Sequence, residues 1–576
     1  MDSSTLKTGA ALLAVSLAIY QLGKPKPLPH IPHNKLHWFA GDYPFVVRIG
    51  REKSGFSYAF DHIATRLGPV SQVVLGLGAS WVGKLFGPGN VIVVVADAQE
   101  AQDVLVNRSA EFDRSKRTSL LFEATLRQGM LGLPTGEQFR QHKRYLAITM
   151  TSPYLARMTP RMIEHVQELV EVWAIGASQL RTGSSGDVAI NAIEDLRLLT
   201  VDIIASITFG TSFNGTRALL NYLEATPEAG PSSRLEVPQL VLDLEVLLHT
   251  IADGGMFLLP SLLPWWTRTF NRKWRSAIGR VHAGLRTRLQ TARAEYASET
   301  RDERPAAHKA ENLLDIILER EREDGYKGVV ALTESEIIDE LTTFALGGAE
   351  TTPTTMQWTL KILCKHPDVQ RKLYSELLEK LPAITTRAPT YAEISDEANL
   401  PYLSAVLYEV LRCARTIAVV TRVATRDTVV LGYPIPKGTE VLFPIGMMQQ
   451  LESDASKDVT DSLDSVRSSS SKGGRKTGYW SASDVHLFNP DRWLRQDGSF
   501  DANAGPWLPF STGFRGCFGT KLALIELRIF LAIVQVNFFF DALPEELNTW
   551  QSHERLTSHP DQCYIRPIPW DKIENN

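Results

Sequence analysis

A single cysteine lies in a short glycine-rich segment near the end of the chain, Phe510-Ser-Thr-Gly-Phe-Arg-Gly-Cys517-Phe-Gly519. The apolar pattern that follows predicts a helix, so Cys517 would lie just ahead of a helix N-terminus whose free N–H groups stabilise a thiolate. A lone thiolate is a poor zinc site, but it suits a haem iron, which needs one axial protein ligand. A buried free cysteine at a loop–helix junction is the alternative.

The neighbours of Cys517 suit a flat cofactor that carries acidic groups. Gly513 and Gly519 would allow a tight turn and a close approach of the backbone to such a cofactor. Arg515 could pair with a haem propionate, and Phe510 falls at a spacing that fits the same kind of loop. The segment is therefore interpreted as a haem-binding loop.

A second segment, Gly347-Gly-Ala-Glu350-Thr351-Thr352, lies inside a long helical pattern that opens with a capping box at 333–336. Paired glycines and adjacent threonines are poor choices for a helix interior, but a local opening of the helix would make room for a small ligand and its water. The carboxylate of Glu350 and the hydroxyl of Thr351 could then relay protons. Alternatively, the helix is kinked near Pro353 and the hydroxyls bond to the preceding turn.

A charged pair, Glu409 and Arg412, is spaced so that both side chains lie on one face of a predicted helix. An exposed ion pair is the usual meaning of this spacing. Here the apolar residues around the pair, such as Val410 and Leu411, favour a buried position instead.

Five residues of the cysteine segment resemble the haem-binding signature of the cytochrome P-450 family, the haem-thiolate monooxygenases: Phe510, Gly513, Arg515, Cys517 and Gly519. The resemblance implies haem b as the cofactor, with Cys517 as the axial ligand of its iron. It also implies that Glu350 and Thr351 occupy the acid and alcohol positions of the oxygen-activation motif. The matching segments occur in the family's order and cover nearly the whole chain after the N-terminal region.

Glu409 and Arg412 resemble the Glu-x-x-Arg motif of the family. Arg492, within 488–493, resembles the arginine that completes a triad with them, and Asp491 stands where glutamate is more usual, which keeps the charge. The resemblance implies a structural role for the triad, which would hold the backbone below the haem.

Two further positions are similar to the residues that meet haem propionates in the family. Where the family usually shows Trp-x-x-x-Arg, this chain has Phe139 and Lys143. Phe139 can pack but cannot donate a hydrogen bond, and Lys143 can pair only as a point charge. Arg144 or His142 could substitute for Lys143, and a plain surface role for Lys143 stays open. Arg422 resembles the arginine that meets the other propionate.

Composition fits a large globular protein. The 576 residues are 44% hydrophobic and 22% charged, which excludes wholesale disorder. A net charge of −4 gives no basic field, so nucleic acid is not an expected partner. The four cysteines show neither a disulfide framework nor the pairing of a metal site.

The N-terminus carries the only membrane signal. Residues 1–23 are predicted to be a membrane anchor, although their apolar run is short for a span. A proline-rich hinge follows at 24–41, and Lys24 and Lys26 would keep the next domain on the cytoplasmic side. A cleaved presequence is the alternative.

Residues 42–576 are predicted to form one catalytic domain. Within it, residues 452–476 are rich in Ser, Asp and Lys and have almost nothing to bury, which predicts a disordered surface loop. An interaction loop is the alternative for this insertion.

Helical periodicity dominates the chain beyond residue 98. It predicts helices at 98–107, 136–150, 156–177, 192–209, 238–251, 271–298, 333–365, 367–380 and 401–415. Short β-branched runs predict strands at 73–77 and 91–95, and 429–443 is interpreted as short strands with a turn. The expected fold class is mainly α with small β-sheets, which the resemblance identifies as the cytochrome P-450 fold with an N-terminal transmembrane anchor.

The resemblance implies haem-dependent monooxygenation of a small apolar organic substrate by dioxygen, in the biosynthesis or tailoring of a specialised metabolite. Electrons would come from NADPH through NADPH–cytochrome P-450 reductase. The anchor would bind membrane lipid and place the protein in the endoplasmic reticulum membrane. A related isomerase or dehydratase that works without dioxygen and a non-catalytic haem-binding protein are the alternatives.

Overall fold

The computed structural model describes residues 25–38, 40–75, 91–182, 188–226, 237–255, 260–298, 310–322, 331–448, 466–467, 480 and 484–573. The expected membrane anchor, residues 1–23, lies outside these ranges, and of the expected insertion, 452–476, only Val466 and Arg467 are described. Within the described ranges, no helix combines the length and the apolar composition that crossing a bilayer requires.

Helices account for most of the secondary structure. In chain order they are α1 (Tyr43–Glu52), α2 (Ser57–Leu67), α3 (Ala98–Val106), α4 (Lys116–Glu123), α5 (Glu137–Leu146), α6 (Ser152–Thr182), α7 (Ile193–Phe209), α8 (Gly215–Ala225), α9 (Gln239–Gly254), α10 (Leu263–Phe270), α11 (Arg272–Ser298), α12 (Leu313–Arg322), α13 (Glu334–Leu363), α14 (Pro367–Lys380), α15 (Tyr391–Ser395), α16 (Pro401–Ala414), α17 (Ile445–Met448) and α18 (Thr520–Asn537). Each helix that periodicity predicts is confirmed, with ends displaced by a few residues.

The longest strands form one five-stranded sheet with the order β1-β2-β8-β5-β3. Its members are β1 (Val70–Val74), β2 (Val91–Val95), β3 (Phe112–Arg114), β5 (Val420–Ala424) and β8 (Glu440–Phe443). Neighbouring strands run antiparallel except β2 and β8, which are parallel. The sheet therefore joins the N-terminal part of the chain to segments that follow α16.

Four two-stranded sheets complete the β structure of the described residues. They pair β4 (Ile190–Asn191) with β12 (Tyr564–Ile565), β6 (Thr428–Val430) with β7 (Tyr433–Ile435), β9 (Phe538–Phe540) with β13 (Pro567–Pro569), and β10 (Ser552–Glu554) with β11 (Ser558–Pro560). The described residues are thus mainly helical with small sheets, as the sequence predicts.

The long helix α13 crosses the core and is buried on most of its faces. It begins at the predicted capping box, in which the Thr333 hydroxyl accepts a hydrogen bond from the backbone N–H of Glu336 and the Glu336 carboxylate accepts from that of Thr333. Its N-terminal half packs in one apolar cluster with α9 and α11, and its C-terminal half packs in another with α6, α16 and α18. The segment from Gly347 to Thr352 lies where the two clusters meet.

Candidate active site

The loop that carries Cys517 is closed by its own backbone. The N–H of Cys517 donates to the carbonyl of Phe510 at 2.9 Å, and the N–H of Gly516 donates to the carbonyl of Gly513 at 3.0 Å. Gly519 is the N-cap of α18, so Cys517 lies two residues ahead of the cap. The sulfur therefore stands just before a helix N-terminus.

Gly513 is needed for a reason that the sequence does not show. Its φ is +75°, a left-handed conformation that favours glycine, and a Cβ at this position would lie 1.9 Å from the carbonyl oxygen of Leu105 in α3. The close approach is therefore between the loop and a neighbouring helix of the protein. Gly519 differs, because its φ is −80° and no described protein atom lies within 4 Å of a Cβ placed there.

Cys517 is the accessible cysteine of the chain, whereas Cys364 and Cys563 are buried and Cys413 is half-buried. Although the residue is exposed, the protein atoms packed around its sulfur raise the pKa of the Cys517 thiol, and hydrogen bonds from Gly519 and Thr520 offset this effect only in part. The helix N-terminus alone does not make the thiolate. A cation bound to the sulfur, such as a metal ion, would lower the pKa of the thiol and favour the thiolate.

The cysteine loop lies against α13. The ring of Phe518, next to Cys517, meets the ring of Phe344 edge-on, with 6.1 Å between centroids. Phe344, Gly347 and Thr351 follow helical spacing, and they form an accessible stripe on a mostly buried stretch of α13. The accessible stripe and the accessible sulfur are thus held near each other by the aromatic pair.

The helix is continuous through this stripe, so the predicted local opening of the backbone is not observed. The Thr351 hydroxyl donates to the carbonyl of Gly347 at 2.8 Å, and the Thr354 hydroxyl donates to that of Glu350 at 2.7 Å. The hydroxyls therefore bond to the preceding turn, which was the alternative interpretation. Gly347 still leaves room, because nothing described lies within 4 Å of a Cβ placed there.

Glu350 turns away from the accessible stripe toward β11. Its Oε1 atom lies 2.6 Å from Nε2 of His559 and accepts a hydrogen bond from the hydroxyl of Thr557 at 2.9 Å. Burial raises the pKa of Glu350, but the hydrogen bond and the charge of His559 outweigh it, so the net pKa is lowered. The carboxylate is therefore ionised at neutral pH. The sequence gave no reason to expect His559 at this site.

Three arginines converge near the cysteine loop. Arg114 in β3 lies opposite Arg422 in β5 in the strand register, and Arg515 comes from the loop itself. Burial and the neighbouring arginines lower the pKa of Arg114 to about 9, and burial lowers the pKa values of Arg422 and Arg515 to about 10. All three guanidinium groups stay charged at neutral pH, and Asp113 is the acid that offsets them.

Each of these arginines keeps a buried nitrogen that has no hydrogen-bond partner among the described residues: Nε of Arg114, Nη2 of Arg422 and Nη1 of Arg515. Unpartnered buried donors on charged groups are costly, so such a cluster suits an acidic ligand. The other donors of Arg515 are used, because Nε donates to the Thr135 hydroxyl and Nη2 to the Leu133 carbonyl, both at 2.7 Å.

Lys143 reaches the cysteine loop from α5. Its Nζ donates to the carbonyl of Phe514 at 2.7 Å and lies 4.5 Å from the centre of the Phe514 ring. Burial, aided by the charge of Arg515, lowers its pKa. The suggested substitutes point elsewhere: Arg144 pairs with a carboxylate on the surface, and buried His142 contacts Glu340 at 2.6 Å.

Glu409, Arg412 and Arg492 are brought together as one buried network. Arg412 pairs with Glu409 through two contacts of 2.7 and 2.8 Å, and both side chains are fully buried. Nε of Arg492 donates to the same carboxylate at 3.0 Å, and the indole of Trp493 donates at 2.9 Å. Asp491 instead forms an exposed ion pair with Lys372.

These residues fit a haem. A single accessible thiol supplies one axial ligand, and the arginines with unpartnered buried nitrogens match a group with two carboxylates. Among the described residues, no cluster of three or more His, Cys, Asp or Glu side chains offers a competing metal site. Arg114 was missed by the sequence interpretation because only the pairing of β3 with β5 places it beside Arg422.

Comparison with known proteins decides the family. The cytochrome P-450 family profile matches residues 82–452 and 473–565. The chain belongs to the cytochrome P-450 family. The profile leaves residues 453–472 of this P-450 unmatched, and these lie within the serine-rich insertion.

Several curated relatives are fungal. A cytochrome P-450 monooxygenase of Pestalotiopsis microspora is 29% identical, and the alignment covers 98% of this chain and 99% of the relative. The monooxygenase TRI13 of Fusarium sporotrichioides is 28% identical over 96% of this chain and 98% of its own length. The Hps1-dma1 cluster monooxygenase cyp3.1 of Dothistroma septosporum is 34% identical over 40% of this chain and 77% of its own.

This P-450 is a monooxygenase, and its family holds haem through a cysteine thiolate. Enzymes of the family use dioxygen and a redox partner and act on organic substrates.

Proposed function

We propose that this P-450 inserts one oxygen atom of dioxygen into a small apolar organic substrate bound between α13 and a haem b whose iron is held by Cys517. The observation that carries the proposal is the contact of Phe518 with Phe344, which sets the accessible stripe of α13 against the cysteine loop. Bound haem would supply the iron at which dioxygen is activated. The protein supplies the ligand, the enclosing walls and the proton donors.

Partly buried apolar side chains on the cluster around the N-terminal half of α13 support an apolar substrate. Leu121, Phe344, Phe518 and Leu556 are only partly buried, and all pack on the apolar cluster around the N-terminal half of α13. They come from four separate segments of the chain. A pocket lined by such side chains gains binding free energy by removing apolar substrate surface from water.

The arginine cluster would hold the haem propionates. Arg422 and Arg515 are the expected partners, and Arg114 joins them through its place opposite Arg422. Lys143 contributes positive charge at the edge of the loop, where its Nζ is bonded to a backbone carbonyl. Gly513, Gly519 and Phe510 would shape the loop itself, and the Glu409–Arg412–Arg492 network, which holds the backbone carbonyls of residues 484–487, would serve as the structural brace that the family resemblance implies.

Proton delivery is the proposed role of Glu350 and Thr351. The Thr351 hydroxyl lies on the accessible stripe, where rotation away from the carbonyl of Gly347 would let it donate a hydrogen bond toward a bound ligand. Glu350 is the preceding residue, and its carboxylate is held by His559 and Thr557 on the side of the helix that faces β11, where it would serve as the acid–base group behind that hydroxyl.

Electrons are proposed to come from NADPH through NADPH–cytochrome P-450 reductase, docked on the basic residues near the loop. Arg140, Arg144 and Lys521 are exposed there, although the first two pair with Glu137. Residues 1–23 are proposed as an anchor in the endoplasmic reticulum membrane with the catalytic domain on the cytoplasmic side. The similarity to cyp3.1, whose name places it in a cluster, supports a role in specialised metabolism.

The proposal is tested with membranes that contain the full chain and reductase. We expect a strongly red-shifted Soret band in the reduced carbon-monoxide spectrum, and NADPH-dependent oxygenation that favours apolar compounds over charged acids in a panel. Cys517→Ala should lose the red-shifted band and the turnover together. A band typical of histidine-ligated haem would contradict the role of Cys517, and a preference for charged acids would contradict the substrate class.

Thr351→Ala tests the proton role at one residue. We expect the variant to keep its haem spectrum but to release more peroxide or water per NADPH, because the hydroxyl that donates at the accessible stripe is gone. The measurement is product formed per NADPH consumed. Thr359→Ala is the matched control, because Thr359 is a buried threonine, about two turns of α13 beyond Thr351, whose hydroxyl donates to the carbonyl of Thr355. Equal coupling in Thr351→Ala and the parent would refute the role.

A further inference from the structure

His559 is the closest polar neighbour of Glu350, and it belongs to no motif that the sequence singles out. It lies in β11, and its Nε2 atom is 2.6 Å from Oε1 of Glu350. The hydroxyl of Thr557 lies 2.8 Å from the same nitrogen and 2.9 Å from the same carboxylate oxygen. A hairpin outside α13 thus supplies the groups that hold the carboxylate.

Both ring nitrogens of His559 have polar partners. The Thr354 hydroxyl donates to the backbone carbonyl of Glu350 at 2.7 Å, so its oxygen is free to accept, and Nδ1 of His559 lies 3.0 Å from it. On the other side, Nε2 faces a carboxylate, which accepts hydrogen bonds but cannot donate them while ionised. Both ring nitrogens are therefore placed to donate, Nδ1 toward the Thr354 hydroxyl and Nε2 toward the Glu350 carboxylate.

The hairpin also connects this pair to solvent. In the register of β10 with β11, His553 lies directly opposite His559, and the two rings stack with 5.5 Å between centroids. Nδ1 of His553 is 2.7 Å from a carboxylate oxygen of Asp561, and both of these side chains are about two-fifths exposed. His559 is itself 19% exposed and Glu350 12%. Protons from water can therefore reach the imidazole without crossing the apolar core.

Other charged groups surround the pair, on α9 and on the hairpin: His249, Glu245, Asp253, Arg555, His553 and Asp561. His249 adds to the positive field that lowers the pKa of Glu350, while burial and the charge of Arg555 lower the pKa of His249. His249 contacts Glu245 and Arg555, whereas His559 contacts the Glu350 carboxylate directly. His559 is the group placed to exchange a proton with it.

We propose that His559 feeds protons from solvent to Glu350. In the step, the N–H bond at Nε2 of the imidazolium breaks and an O–H bond forms at Oε1 of Glu350. The neutral imidazole then takes a proton from water, while Glu350 passes its own toward the Thr351 side of the helix. Histidine suits this work because its unperturbed pKa lies nearest to neutral pH. The inference rests on the proposed proton role of Glu350.

The first test uses holoenzyme with reductase and the variant His559→Gln, which keeps polar contacts but cannot exchange a proton. We expect an unchanged carbon-monoxide spectrum and a fall of about tenfold or more in product per NADPH at neutral pH. Coupling should recover at lower pH, because bulk protons then reach Glu350 directly. The matched control is His366→Gln, another half-buried histidine, which packs on Phe488 and should leave coupling unchanged.

The second test does not depend on turnover. Modification of His559 by diethyl pyrocarbonate, which attacks neutral imidazole, is followed by peptide mass spectrometry across pH in the parent and in Glu350→Gln. We expect the pH of half-maximal rate to fall in Glu350→Gln, because the anion that holds the imidazolium is removed. An unchanged midpoint would overturn the pairing, and parental coupling of His559→Gln at every pH would overturn the relay. Absence of oxygenation by the parent enzyme would instead count against the proposed function.

Discussion

At the scale of single residues, Glu409 shows how a charge is kept inside this protein. Its carboxylate accepts two hydrogen bonds from Arg412, one from Arg492 and one from the indole of Trp493. The backbone N–H of Asn489 adds a further one at 2.9 Å. Every lone pair is therefore used, which offsets the desolvation of a fully buried ion pair.

Glu409→Gln should destabilise the fold by about 3–5 kcal/mol, because it leaves the guanidinium of Arg412 buried without a counter-charge. Chemical denaturation of the purified protein measures this change. Asp491→Asn is the matched control: its ion pair with Lys372 is exposed on both sides, and its loss should cost less than about 1 kcal/mol. Similar losses in the two variants would contradict the structural role of the network.

Glu526 in α18 gives a prediction of pH dependence. It is 4% exposed, and burial raises its pKa to about 8. The folded state therefore keeps a proton that the unfolded state releases near its ordinary pKa of 4.5, so stability should fall as pH rises from 4.5 to about 8, by up to ~1.4 kcal/mol per pH unit. Thermal unfolding across pH should show this slope in the parent and its loss in Glu526→Gln, and an unchanged slope would refute the assignment.

At the scale of elements, the two glycines of α13 have different tasks. A Cβ on Gly348 would lie 2.8 Å from a side-chain carbon of Ile204 in α7, so glycine here allows the two helices to pack closely. A Cβ on Gly347 would meet no described atom within 4 Å, and this residue belongs to the accessible stripe. One glycine sets the distance between helices and the other leaves space beside the cysteine loop.

Gly348→Ala should therefore lower the free energy of unfolding by about 1–3 kcal/mol through overpacking. Gly347→Ala should keep or raise stability, by up to about 1 kcal/mol, because alanine favours the helix. The second variant should instead change the spectral shift that apolar ligands produce. Denaturation and ligand titration of both proteins separate these outcomes, and the reverse pattern would contradict the assignment of the two faces.

At the scale of the whole molecule, a residue of the insertion is tied to the helix that carries the cysteine loop. Arg467 forms a buried pair with Asp97, with contacts of 2.6 and 2.8 Å. Asp97 is the N-cap of α3, and the carbonyl of Leu105 near the other end of α3 touches Gly513. Arg467, which lies within the residues 453–472 that the family profile does not match, is thereby linked through α3 to the cysteine loop.

Arg467→Met should destabilise the protein by about 3–5 kcal/mol, since Asp97 would stay buried without its partner. Arg426→Met serves as the control, because Arg426 is exposed in its pair with Glu111, and its loss should cost less than about 1 kcal/mol. Chemical denaturation of the two variants and the parent measures these changes in the free energy of unfolding. Equal stability of Arg467→Met and the parent would show that the Arg467–Asp97 pair contributes nothing to the fold.

The sequence by itself determined the longer helices, the capping box of α13 and the position of Cys517 just ahead of a helix. These features could be predicted because periodicity and helix caps act over a few neighbouring residues. It missed short helices such as α1, α4 and α8, whose few turns depend on packing for their stability. It also placed an opening in α13 that the continuous helix does not have, since the hydroxyls of Thr351 and Thr354 bond to the preceding turn instead.

Only the tertiary structure decided which distant residues meet. The pairing of β3 with β5 places Arg114 beside Arg422, the β10–β11 hairpin brings His559 to Glu350, and α3 makes Gly513 necessary. The burial of Arg467 against Asp97 is likewise a contact between residues that are far apart along the chain. Local sequence carries no record of such contacts, because each depends on elements that are far apart along the chain and come together only when the core packs.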